Sequence, residues 1–150
     1  MYSDPTVTDF IAQHFVPVRA HVKDHAELFK QLGQRFNAQW TPTVLVVDPD
    51  GRERHRIEGF LPVEDYLSQL KLGLAHSAFA RGRFAEAEPL FNTVAEQHPD
   101  TDAAPEAVYW RGVSRYKATN DAAALADTAR AFGERYQDSS WAKKASVWKG

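Results

Sequence analysis

The stretch Trp40-Thr41-Pro42-Thr43-Val44-Leu45-Val46-Val47-Asp48-Pro49-Asp50-Gly51 constrains the fold of this chain more than any other. A Thr-Pro entry leads into a run of β-branched and apolar residues that favours extended backbone, and an Asp-Gly pair then reverses the chain. The spacing predicts a strand over Thr43–Val47, a turn over Pro49–Gly51 and a return strand over Arg52–Ile57. The same sequence holds no cysteine. Disulfides, thiolate metal sites and thiol chemistry are therefore beyond what its own residues can perform.

Helices are predicted around this hairpin. Ser3 or Asp4 can cap a helix with Pro5 at its first position, and Val7, Phe10, Ile11 and Phe15 recur at helical spacing. Val16 to Val22 alternates apolar and polar residues, the period of a strand. Asp24 with Glu27 three residues on reads as a capping box, opening a helix whose stripe is Leu28, Leu32 and Phe36. After Gly59 a helix is expected from near Pro62, with Tyr66, Leu67 and Leu70 facing inward.

From Pro62 onward alanine dominates and no strand pattern recurs; breaks fall at Gly82, at His98-Pro99-Asp100 and at Asn120-Asp121. An offset of 38 residues carries His98 to Tyr136, Ala107 to Ala145 and Trp110 to Trp148. Self-similarity at that period marks stacked helical hairpins, in which small residues allow close approach and aromatics fill the gaps.

Gly82, Phe84, Ala87, Phe91, Val94 and Pro99 resemble one tetratricopeptide repeat, and a second, weaker one covers Ala107, Tyr109, Gly112, Tyr116, Leu125 and Phe132. Gln137 stands where that repeat's closing proline belongs, and Trp141, Val147 and Trp148 suit a capping helix. The first half resembles the thioredoxin family, specifically a bacterial group that joins a thioredoxin-like domain to short tetratricopeptide repeats. The residues carrying this are Asp4-Pro5, Val7, Phe15 to Val18, Trp40 to Thr43, Asp48 to Gly51, Gly59, and the run from Phe60 to Leu74.

These resemblances imply an α/β unit followed by an all-α unit. An incomplete thioredoxin-like βαββα sheet spans residues 1–72, and a tetratricopeptide-like antiparallel array of helical hairpins spans 73–150. The boundary is expected within one helix over 62–81. In the family, the first strand and the cysteine-bearing helix start lie upstream of the position of Tyr2. That strand sits between the equivalents of Val16–Val22 and Thr43–Val47, so its absence predicts unpaired edges. The two strands can close on each other, another chain can donate a strand, or the natural product can be longer, with Met1 internal. A longer product and a three-stranded sheet are the expectation.

The resemblance makes Trp40, Thr41 and Pro42 a candidate peptide-binding loop, with Pro42 a cis-proline. The alternative is a trans proline opening a strand, with Trp40 in the core. In the repeats, His76, Phe79, Tyr109, Tyr116 and Lys117 are candidates for an inner binding face, although such aromatics also fill hairpin interfaces. His21, His25 and His55 lack the logic of a ligand set, and Asp48 to Gly51 lacks the spaced ligands of a calcium loop. Neither metal nor cofactor is expected. Arg52, Arg54 and Arg56 share one strand face that reads as solvated, and Glu86, Glu88 and Glu96 read as helix-surface charges.

At 43% hydrophobic and 25% charged residues the composition is globular, and a net charge of −2 gives no nucleic-acid footprint. The longest apolar run, Val44 to Val47, cannot span a bilayer. With no signal segment after Met1, a cytoplasmic location is expected, or a periplasmic one if a signal segment lies upstream of Met1. The function expected is a non-catalytic protein-binding or adaptor module whose partner is a polypeptide. The alternative is the remainder of a thiol–disulfide oxidoreductase whose Cys-x-x-Cys lies upstream of Met1.

Overall fold

The computed structural model describes residues 2–150. Helix α1 (Pro5–His14) starts where Asp4, in extended conformation, accepts a 2.9 Å hydrogen bond from the Thr6 amide, with Pro5 supplying a preset first turn. Its apolar side packs Val7, fully buried, against Ile57, Tyr66 and Leu70. Helix α2 (Ala26–Phe36) begins later than a cap at Asp24 requires. The Asp24 carboxylate lies 3.1 Å from His21 Nδ1 instead of capping, and Glu27 accepts from Gln31, so the expected capping box does not form.

Strands β1 (Thr43–Val47) and β2 (Glu53–Glu58) pair antiparallel, with Val44 opposite Ile57 and Val46 opposite His55. A bulge between Val46 and Val47 places Val47 opposite Glu53. Gly51 closes the turn at φ 81°, a backbone state that costs a glycine little. These two strands form the sheet of the described residues, which corrects the three-stranded expectation. Val16–Val22 is not a strand: it runs without ladder pairing into a turn that begins at Val22, with Val16 93% and Val18 74% exposed. Alternation encodes two faces, but a strand exists only where a neighbouring edge takes its amides and carbonyls, and no described element brings one to this segment.

Helix α3 (Val63–Ala80) joins the two halves. Tyr66 and Leu70 enter the core shared with α1 and the hairpin, while Leu72, Ala75 and Ala78 enter a second core with α4 (Phe84–Gln97) and α5 (Ala103–Thr119). Where α3 crosses the sheet it carries Gly73; a Cβ there would stand 2.7 Å from Val46 Cγ2 and 3.3 Å from His55 Cβ. The helices then follow one another through turns at Arg81–Arg83, His98–Asp102 and Asn120–Ala122, short enough to make neighbours antiparallel. Gly82 and Asn120 take left-handed backbone at two of these turns.

His98 in the second turn is buried, and both its ring nitrogens are engaged: Nδ1 lies 2.5 Å from Glu64 and Nε2 lies 2.9 Å from Lys71 Nζ, both on α3. Helices α6 (Ala123–Glu134) and α7 (Ser140–Ala145), with a 3₁₀ turn over Ser146–Trp148, close the far end. There Val108, Phe132 and Ala145 are buried beneath Tyr109, Trp141 and Trp148.

Two helices approach closely at Gly112, where a Cβ would fall 1.8 Å from Thr128 Oγ1, itself fixed by a 2.8 Å bond to the Ala124 carbonyl. Gly112→Ala is therefore expected to destabilise the protein. Overpacking of about 1–3 kcal/mol is only partly offset by the roughly 1 kcal/mol helix preference of alanine. Gly133→Ala in α6, where nothing lies within 4 Å, should instead gain up to about 1 kcal/mol. Urea unfolding midpoints of the two variants should move in opposite directions.

Candidate functional site

Two neighbouring features of the sheet concentrate polar and exposed apolar groups. The first is the loop entering β1. The Thr41–Pro42 peptide is cis. Thr43 Oγ1 donates to the Trp40 carbonyl at 2.6 Å, and the Pro42 carbonyl accepts from the Gly59 amide at 2.8 Å, so both ends of the loop are tied to the hairpin. Trp40 is left 67% exposed rather than in the core. The outer edge of β1 has no strand partner among the described residues. Elsewhere in the N-terminal half apolar surface is incompletely covered: Val16, Val18 and Val22 are exposed, and Leu28, Leu32 and Phe36 of α2 are only half-buried.

Charged groups fasten the turn of the hairpin and the end of α2. Asp48 is buried, accepts the Asp50 and Arg52 amides on Oδ1, and meets Arg54 Nε at 2.5 Å on Oδ2. Burial alone would raise its carboxyl. The Arg54 hydrogen bond and charge and the two amides outweigh it and hold the group below the usual carboxylate value. Arg56 pairs with Glu53 and Glu58 and donates to the Phe36 and Asn37 carbonyls at the end of α2. Arg54 and Arg56 therefore do not form the solvated face that the alternation suggested; they fasten the turn and α2.

The second feature lies on the opposite face of β2. His55 contacts Gln69 through Nε2 at 2.6 Å and stacks on His76 of α3, with ring centroids 5.7 Å apart. His76 Nε2 lies 3.1 Å from Glu106 Oε2 on α5, and its ring meets Phe91 and Trp110 edge-on. One donor atom each from His55, His76 and Glu106 falls within 4.8 Å of the others. Burial, reinforced by His76, pushes the His55 imidazole below its ordinary value, so the ring is neutral near pH 7. His21 and His25 take no part: they belong to an exposed local turn, where the His21 amide donates to His25 Nδ1.

Of the repeat-face candidates, Phe79 packs on Phe84 and Trp110, and Tyr109 lies among Trp110, Trp141 and Trp148. Tyr116 is half-buried, and Lys117 is exposed, with its Nζ 5.8 Å from the centre of the Phe84 ring. His76 is drawn toward the sheet. The convergence on His55 and Glu106 escapes sequence reasoning because these residues lie 21 and 30 positions from His76 and share no local motif. The one available signal was the glycine at 73, which lets α3 approach His55 closely.

Residues 1–73 match the family model of the thioredoxin-like domain, a match that ends at Gly73 inside α3. The N-terminal part of this chain is thus a thioredoxin-like domain, with a cis-proline loop and no cysteine. No curated protein and no solved structure matches the chain significantly. Among the described residues no helix is long and apolar enough to cross a membrane.

Asp48 gives the hairpin a definite pH response. Because its folded-state pKa is depressed, its contribution is complete above the unfolded value of about 3.9 and is lost as pH falls through the folded value. Asp48→Asn keeps the amide acceptor and removes the charge. Wild type should melt above this variant at pH 6, and the gap should begin to close below about pH 4. A gap independent of pH in thermal scans would show that the charge contributes nothing.

Proposed function

We propose that this protein is a non-catalytic polypeptide-binding module, in which an extended segment of a partner adds as a strand to the outer edge of β1. The observation that supports the reading most is that edge itself, entered from a loop that leaves Trp40 exposed. An unpaired edge carries amides and carbonyls with no ladder partner, and an added strand satisfies them while its alternate side chains find apolar cover. An extended peptide matches both requirements, because its backbone serves the edge and its apolar side chains find cover at the exposed Trp40.

Trp40 and the Thr41–Pro42 peptide stand at the entry to this edge, where they set the position of the peptide's end. On the same reading the helical half is a short tetratricopeptide-type array that acts as the scaffold. His76, Phe79 and Tyr109 are engaged within it, which leaves Tyr116 and Lys117 as the more accessible of its inner-face candidates. A catalytic role in thiol exchange requires a thiolate nucleophile, which this sequence does not contain.

The test uses a permanently unfolded probe, reduced and alkylated lysozyme, with amide hydrogen exchange as the readout. Binding should slow exchange at Thr43–Val47, and Trp40→Ala should weaken binding about tenfold, the loss of one aromatic anchor worth about 1.4 kcal/mol. Protection confined to α3–α5 would transfer the site to the helices. A dimeric mass with β1 protected before any probe is added would mean that a second copy fills the edge. Absence of any binding would overturn the reading.

A further inference from the structure

The half-buried group between the hairpin and the helices supports an inference independent of the polypeptide edge. His55 comes from β2, His76 from α3 and Glu106 from the first turn of α5, so three elements converge on one point. We propose that His55, His76 and Glu106 bind a divalent cation of the zinc class, which ties the thioredoxin-like domain to the helices that follow it.

The donor chemistry selects the ion class. Two imidazoles and one carboxylate suit zinc and its neighbours, whereas calcium and magnesium take oxygen ligands throughout. The geometry is close to what such an ion needs. With bonds of about 2.0–2.1 Å, tetrahedral donors stand about 3.3 Å from one another. His76 Nε2 and Glu106 Oε2 are 3.1 Å apart, and the remaining donor lies within 4.8 Å of both.

The surroundings hold the ligands in place, as an outer shell does. Gln69 contacts the His55 ring, while Phe91 and Trp110 wall the His76 ring. The His76 and Glu106 side chains are 18% and 22% exposed, enough for an ion to enter and for a water or a partner's side chain to take a fourth position. Without an ion, a single carboxylate faces two stacked imidazoles and pairs directly with only one of them. An ion would engage all three groups at once.

The test titrates chelator-treated full-length protein with Zn²⁺ by calorimetry and records histidine ring ¹⁵N resonances in parallel. One equivalent should bind, the His55 and His76 ring signals should shift in the unmutated protein, and the melting temperature should rise. Glu106→Gln and His55→Asn, each checked for native circular dichroism, should each lose at least about tenfold in affinity. Co²⁺ should give the visible absorption of a tetrahedral site, and Ca²⁺ should leave the ring signals unmoved. No binding by the unmutated protein overturns the proposal. So does binding that shifts only His21 and His25, or binding that is abolished by replacing those two exposed histidines while both cluster variants bind normally.

Discussion

The contact between α3 and the sheet at Gly73 is the constraint on which the two halves of this protein depend. A glycine there lets the helix backbone settle against Val46 and His55, at a distance that any Cβ would forbid without repacking. Once α3 sits that close, its two sides are committed. Tyr66 and Leu70 close the core beneath the hairpin, and Leu72, Ala75 and Ala78 open the core of the helical array. Burial in that first core, with a smaller contribution from Tyr2, pushes the Tyr66 phenol up to about 12. The same approach brings His55 into stacking distance of His76, so the polar cluster follows from the packing.

The two halves differ in how fully they cover their surfaces. In the helical half small residues permit close contact, as at Gly112 against Thr128, and aromatic residues fill what remains out to Trp148. Buried polar groups there are matched, with His98 held between Glu64 and Lys71. The sheet side is less complete. Both outer strand edges lack a strand partner among the described residues, Trp40 stands out from the loop, and α2 is fastened largely through Arg35 and Arg56 to backbone carbonyls. A rigid, well-packed body beside an open edge is the arrangement that strand addition uses.

Much of this was legible because it rests on local chemistry. The hairpin followed from β-branched residues closing on an Asp-Gly turn, α1 from Asp4-Pro5, and the helix breaks from Gly82, His98-Pro99-Asp100 and Asn120-Asp121. Errors arose where local pattern needed a partner. Val16–Val22 has the alternation of a strand and lacks the neighbouring edge that makes one. Asp24 and Glu27 have capping-box spacing, yet the Asp24 carboxylate pairs with His21 and α2 starts beyond it. Arg54 and Arg56 read as a solvated face and are instead bound to Asp48, Glu53 and the end of α2.

By itself, then, the sequence determined the order of helices and turns and the presence of the hairpin. These depend on backbone preference, capping and residue identity over a few positions. Tertiary structure alone decided that the hairpin's outer edges lack a strand partner among the described residues, and it alone assembled His55, His76 and Glu106. Those outcomes depend on how closely distant segments approach, and that distance is set by packing around α3 rather than by any local pattern.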